Sequence, residues 1–362
     1  MSIGMKRSQL ALGAAALGLV ATALAPAAAT AGSAAPGAKE ETSGLKQVLF
    51  RDDYDNGFLT GQGGNWLVTG DEQWPAGDAV PTTSGGVLNV APAGTNPATG
   101  DPAFARTYEQ QADGSSLDHM KWLAFPQRFT STGQLGFDIP DTGSISCEHR
   151  LSGETFGTEN HPFGDAVTDP ESDLRLASVG MVSGDVQSNA IADFWVTNST
   201  IYAMYERLPS PGATYASYTY AVPVADRTPG RAHDLEIRYD QGGRRVTWFV
   251  DGRQKLQTDR IGTRAFDRRF LMLDHGGAEE RLTLNQVTCG LALATILDGA
   301  LPGSRGGDGL VRLENTPDFY FDPRRGAPTP QAFEDPASLP ESRLWGQGAE
   351  MNVAWTQVVL RR

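Results

Sequence analysis

The sequence predicts an all-β fold, a sandwich of two antiparallel sheets, and three stretches predict it. From His233 to Gly252, Leu235, Ile237 and Tyr239 alternate with Asp234, Glu236 and Arg238. A turn of Asp240-Gln241-Gly242-Gly243 follows, then Val246, Trp248 and Val250 alternate with Thr247 and Phe249. Period-two patterning on both sides of residues that tolerate positive φ is the signature of a hairpin. From Ile191 to Leu208 the pattern recurs about Asn198-Ser199. Asp193, Trp195 and Thr197 take one face of the first strand; Tyr202, Met204 and Glu206 take one face of the second, opposite Ile201, Ala203, Tyr205 and Arg207. Last, Met351 to Leu360 is a β-branched strand that closes the chain.

Taken in order, Met1 to Ala31 has the three parts of a secretory signal peptide. Lys6 and Arg7 are the basic start, Leu10 to Leu24 the apolar run and Ala29-Thr30-Ala31 a small-residue cleavage site, with Ala27-Ala28-Ala29 as an alternative. Residues 32–44 are small and polar, a disordered leader. Residues 45–362 hold no repeat and no internal linker, which predicts a single β-sandwich domain. Val48 and Phe50 alternate into a first strand, followed by an acidic turn of Asp52, Asp53, Asp55 and Asn56. Its oxygens suit either solvent or a structural calcium ion; no other cofactor is suggested. Trp66 to Thr69 and Val87 to Ala91 are short strands, and Asp113 to Phe125 is read as a helical turn. Gly133 to Arg150 opens the core of a sheet: Ile145, Cys147 and His149 share one face, Ser146, Glu148 and Arg150 the other. Thr155 to Pro170 is a loop carrying His161 and Phe163. Further strands are expected in Leu174 to Val182, Phe270 to Leu273 and Gln286 to Leu297. Leu301 to Leu344 has little pattern and reads as a long loop.

The formal net charge is −13 and grows more negative once Lys6 and Arg7 leave. An acidic surface argues against nucleic acid and anionic membrane as partners, since both need cationic patches. It also argues against a strongly anionic polysaccharide, unless a local basic groove overrides the overall charge. Nothing in the sequence calls for an oligomer, so a monomer is expected. Cys147 and Cys289 are the two cysteines, both placed by strand alternation toward the interior. In an oxidising compartment they form one disulfide; the alternative is two buried thiols.

The Leu-x-Ile-x-Tyr strand with its Trp-Phe-Val-Asp-Gly partner, and the Phe-x-Asp-Asp-Tyr opening followed by Trp66, resemble the concanavalin-A-like jelly rolls. That sandwich belongs to legume lectins, laminin-G modules and many secreted glycanases and polysaccharide lyases. The resemblance implies a jelly-roll topology with first and last strands side by side, and an extracellular glycan as partner. The phrases DFWVTNSTIYAMYERLP, RTPGRAHDLEIRYD, LDHGG and LWGQGA are similar to a family of secreted bacterial proteins described only as a domain of unknown function. That likeness implies the sandwich and export and carries no catalytic residue over.

Three chemistries compete. Glycoside hydrolysis needs two carboxyls flanking the bond, one held protonated; Glu148 and Glu206 are the catalytic candidates because both sit on strands, although the Glu-x-Asp-x-x-Glu strand of jelly-roll glycanases does not occur. Lyase chemistry needs a proton-abstracting Tyr or His and a cation for a uronate, for which Tyr202, Tyr205, His149, His161, Arg150 and Arg207 are the right types. The Gln-Ile-His and Tyr-Phe-Lys strands of such lyases are absent. Recognition alone needs flat apolar rings with a few directional polar groups. Asp193, Trp195 and Tyr202 supply them, with Tyr205, Trp66 and Asn198 as further candidates. The expected glycan surface joins Glu148, Asp193 and Trp195 on one face, with Tyr202 or Glu206 beside it, and Arg150, Arg207 and His161 as additional contacts. The reading favoured is a secreted carbohydrate-recognising protein; the alternative is a glycoside hydrolase or polysaccharide lyase.

Overall fold

The structure, a computed structural model, describes residues 45–69, 79–92, 120–209, 213–297, 299–303, 309–310 and 348–362. The signal peptide, the leader and most of the 301–344 loop lie outside the described residues. Among the described residues there are seventeen strands and three single-turn 3-10 helices. The strands are β1 (Lys46–Asp52), β2 (Trp66–Thr69), β3 (Ala79–Ser84), β4 (Val87–Pro92), β5 (Met120–Pro126), β6 (Phe137–Asp138), β7 (Ser144–Phe156), β8 (Ser178–Asp185), β9 (Ala190–Val196), β10 (Thr200–Arg207), β11 (Ser217–Asp226), β12 (His233–Asp240), β13 (Arg245–Val250), β14 (Arg253–Thr258), β15 (Leu271–Gly276), β16 (Gln286–Ala294) and β17 (Gly348–Arg361).

They form two antiparallel sheets. Sheet I runs β14-β13-β12-β7-β17-β4-β3, with β1 also paired to β17. Sheet II runs β15-β11-β10-β9-β8-β16-β5-β2, with β6 on β16. This is the concanavalin-A-like jelly-roll arrangement. The first and last strands pair, Lys46 opposite Arg361 through Asp52 opposite Thr356. On its other side β17 follows β7 from Gly348 opposite Phe156 to Arg361 opposite Ser144, across a bulge between Val353 and Trp355.

The alternation of each strand decides what fills the space between the sheets. Ile145, Cys147, Leu151, Ile237, Tyr239, Trp248 and Val358 descend from sheet I onto Val179, Met181, Phe194, Val196, Ala203, Tyr205, Leu291 and Leu293 of sheet II. Trp248 donates its indole N–H to the backbone carbonyl of Asp193 at 2.9 Å, which ties the opening hairpin to β9. Cys147 on β7 is disulfide-bonded to Cys289 on β16, with Cα atoms 5.4 Å apart, so the bridge joins the two sheets through the core. The turn between β12 and β13 has the positive φ its residues suggested, at Gln241, Gly242 and Gly243.

Strands β8 and β9 are buried along their whole length. Their second face carries a second apolar cluster on the outside of sheet II. Val182, Ile191, Trp195, Tyr202, Met204 and Ala292 are packed there under Leu174 and Ile296 from the connecting loops.

Some expectations need correction. The described part of Asp113 to Phe125 is strand β5, paired with β16 and β2, and not a helical turn. Three strands carry too little pattern to be read from sequence. Strand β3 contains Pro81 and β14 is polar with Lys255, both devices of edge strands. Strand β11 contains Pro223, which sits at the irregularity where Tyr202 meets it.

Candidate functional site

The two catalytic candidates lie on different sheets, and this overturns the pairing. Glu148 is on β7 in sheet I, Glu206 on β10 in sheet II. The neighbours of each in sequence, Cys147 and Tyr205, are in the core between the sheets. The two carboxyls therefore point away from each other across two layers stacked about 10 Å apart. No glycosidic bond is flanked by both, since that requires about 5–10 Å.

Glu148 is, moreover, fully engaged on the outer face of sheet I. Its carboxylate accepts from Ser146 Oγ, Gln357 Nε2 and Arg361 Nη2, each at 2.6 Å. Burial pushes its pKa up, but these three hydrogen bonds and the Arg361 charge outweigh it and hold the carboxyl below its ordinary value. It is an anchor for the last strand. Arg150, two residues on, pairs with Asp234 at 2.7 Å, with both side chains nearly half exposed. The expected face of Glu148 with Asp193 and Trp195 does not exist.

Sheet II keeps the rest. On its outer face Trp195 stands opposite Tyr202 and Asp193 opposite Met204, with Glu206 one step further along β10, opposite Ile191. Asp193 and Glu206 are thus diagonal neighbours on adjacent strands, within reach of one another's charge. Asp193 is almost wholly buried and accepts the Ser183 N–H at 2.8 Å. Burial, and then the charge of Glu206, push its pKa well above the ordinary carboxylate range. Glu206 is only half-buried and accepts from Thr219 Oγ1 at 2.6 Å. Burial and the neighbouring charge thus favour the protonated form of Asp193, the direction that acid chemistry needs.

The two rings beside them are covered. Trp195 is 2% and Tyr202 7% exposed. Trp195 lies on Gly180, where a Cβ would stand 2.6 Å from the ring. Tyr202 donates to the carbonyl of Ser172 at 2.9 Å, and burial pushes its hydroxyl up to about 12. The loop that covers it is built around a buried Asp173–Arg175 ion pair at 2.6 Å. His161 belongs to the same loop, stacked on Phe163 with centroids 6.2 Å apart. Partial burial lowers its pKa, with Arg175 adding and Asp173 opposing.

The other candidates are structural. Arg207 points away from Glu206: it is buried, lies 3.7 Å over the Tyr215 ring and pairs with Glu280 at 2.6 Å. Tyr205 is core, accepting from Tyr218 and from the Gly262 N–H. Trp66 is core too, its indole N–H bonded to Asp52. Asn198 ties its turn to the backbone of Thr155. His149 is buried between the sheets against both cysteine sulfurs, and bonded to Thr356 at 2.7 Å. With the two cysteines it makes the only group of three such donors within metal-ligand reach among the described residues, and the disulfide engages both sulfurs. Asp53 and Asp55, proposed for calcium, are exposed and join no such group.

Fold and face define a β-sandwich with an acidic and aromatic cluster on the outer side of one sheet, largely covered by a loop. The chain belongs to a family of unknown function, DUF6081, whose model matches residues 51–362. It is 25% identical to an uncharacterised protein of Acanthamoeba polyphaga mimivirus, across 67% of this chain and 76% of that one. Among solved structures it is similar to SCLam, a non-specific endo-β-1,3(4)-glucanase, with TM-score 0.41 and 11% identity over 89% of this chain and 95% of that one. It is also similar to the catalytic domain of an endo-1,3-β-glucanase from Thermotoga petrophila RKU-1, with TM-score 0.39 and 11% identity over 88% and 100%.

Proposed function

We propose that this protein is exported and recognises a glycan on the outer face of sheet II, entering at the Glu206 end. The observation that supports this most is the gathering of Asp193, Trp195, Tyr202 and Glu206 on one face of adjacent strands. A sugar ring asks for that combination: flat apolar surface with a few directional acceptors. Glu206 is the member of the four that is not fully buried, so it makes first contact. The rings become available to a ligand only when the loop bearing His161 and Ser172 lifts. Export is supported by the Cys147–Cys289 disulfide, a bond that persists in oxidising compartments. Residues 45–362 act as one unit in this reading, as a monomer.

A second reading has one observation in its favour. Asp193 and Glu206 are neighbouring carboxyls, and burial with the Glu206 charge raises the pKa of Asp193, the asymmetry that a glycoside hydrolase requires. A glycan array, followed by product analysis on the strongest binder, separates the two readings. Recognition predicts saturable binding with no shortened product. Hydrolysis predicts product that disappears in both Asp193→Asn and Glu206→Gln. Absence of binding across neutral and charged glycans would overturn both.

A further inference from the structure

We infer that the protein carries a separate binding site for an oligosaccharide bearing carboxylate or sulfate groups, in a cleft at the edge of sheet I. The cleft has a volume of about 750 Å3, within the range of small-ligand sites. It lies between the C-terminal end of β11, Pro223 to Asp226, and the β12–β14 edge. Arg231, Arg253 and Lys255 line it, all exposed, and none makes an ion pair among the described residues. On a chain whose net charge is −13, three cations gathered in one concavity without a close ion pair form a local attractive field for an anion.

Two carboxylates also line the cleft, and one of them is already committed. Asp251 accepts from His233 Nδ1 at 2.9 Å and from the Asp234 N–H at 3.0 Å. Its pKa stays below the ordinary value although burial raises it, because the His233 hydrogen bond, the Asp234 N–H and the charges of His233 and Arg231 stabilise the anion. Asp226 is the second carboxylate. The three cations therefore outnumber the acids available to answer them.

The second observation is independent of charge. His233 lines this cleft, is only 4% exposed, and its Nε2 has no hydrogen-bond partner. A buried polar atom left without a partner is costly unless a ligand or water supplies one. With Nδ1 fixed on Asp251, Nε2 is the free end of an oriented imidazole. A sugar hydroxyl meets that end while its carboxylate or sulfate meets the cations; Arg guanidinium groups grip such planar or tetrahedral oxyanions in bidentate fashion. This is the local basic groove that would reconcile an acidic protein with an anionic glycan. It borders sheet II through β11, where Pro223 pairs with Tyr202, but its lining includes none of Asp193, Trp195, Tyr202 and Glu206.

The test is titration calorimetry of the full mature chain with three probes: an oligogalacturonate, a sulfated heparin-derived oligosaccharide and a neutral β-glucan oligosaccharide. The expected result is binding of at least one anionic probe, weakening as salt is raised, with at least a tenfold loss in the triple variant Arg231→Ala, Arg253→Ala, Lys255→Ala. All three positions are exposed, so the variant keeps its melting temperature. His233→Asn should weaken the same probe several-fold at fixed salt, which loss of bulk charge would not do. Whether the oligogalacturonate or the sulfated probe binds distinguishes carboxylate from sulfate as the group read. Binding of neither anionic probe, or undiminished binding in the triple variant, overturns the inference. Glu206→Gln should leave this binding intact, so failure here and failure at sheet II are separately visible.

Discussion

Two buried titratable side chains, both on strands that cross the middle of the sandwich, make the protein's stability depend on pH in opposite senses. Burial between the sheets pushes His149 down to about 3, while the unfolded chain titrates near 6.5. The folded form thus refuses a proton that the unfolded form accepts. The stability is complete above about pH 6.5 and drains away as pH falls toward 3. By pH 4.5 that loss should be about 2–3 kcal/mol. His149→Gln, which keeps a partner for Thr356, should flatten this slope in urea unfolding at pH 4.5 and 7; an unchanged slope would show the histidine is solvated or protonated in the fold. Asp193 has the reverse sign. Its folded pKa is raised by burial and by Glu206, so the stability it lends is present below the unfolded value near 3.9 and lost as pH rises through the folded one. Asp193→Asn should therefore match or exceed the wild-type urea midpoint at pH 8. A lower midpoint than wild type at that pH would mean the carboxylate is ionised in the fold.

Strands explain both what the sequence revealed and what it hid. In the hairpin β12–β13 the first strand alternates cleanly between apolar and charged residues, the second is apolar on both sides, and the turn glycines mark the register; it was legible almost to the residue. The same period placed Cys147 and Cys289 inward, and the structure joins them. Cutting this bridge, whose half-cystines are 142 residues apart, with Cys147→Ala and Cys289→Ala together should cost about 2–5 kcal/mol in denaturant unfolding. What alternation cannot give is which sheet a strand joins. Glu148 and Glu206 share a polar, strand-borne look, yet β7 pairs with β12 and β17 while β10 pairs with β9 and β11. Only the long-range pairing separates them. Glu148 was misread for a second reason: its cation is Arg361, 213 residues away in sequence, whereas Arg150 was the visible neighbour. The seat of Trp195 is similarly hidden, for Gly180 gives no sign of what it accommodates. Gly180→Ala should force the ring off its strand at a cost of about 1–3 kcal/mol, read as a lower melting temperature with altered tryptophan fluorescence. A stable variant with an unchanged spectrum would refute that packing.

At the scale of the whole molecule the two outer faces have different work. Sheet I is closed by a polar lattice in which Ser146, Glu148, Gln357 and Arg361 lock the last strand to β7. Sheet II carries the aromatic and acidic groups, under a loop held by Asp173 and Arg175. The cationic cleft sits at neither face but at the β12–β14 edge, where the hairpin that made the fold legible ends in His233 and Asp251. Those two residues read in sequence as mere strand ends, and the cations that share their cleft, Arg231, Arg253 and Lys255, come from a loop and an edge strand without an apolar pattern. The central claim, that glycan recognition belongs to the outer face of sheet II, is tested most directly by hydrogen–deuterium exchange with and without the strongest neutral glycan from the array. New protection is expected in β9, in β10 and in the loop spanning 157–177, with β7 and β12 unchanged. Protection confined to β7 and β12, with β9 and β10 exchanging as in the free protein, would contradict it.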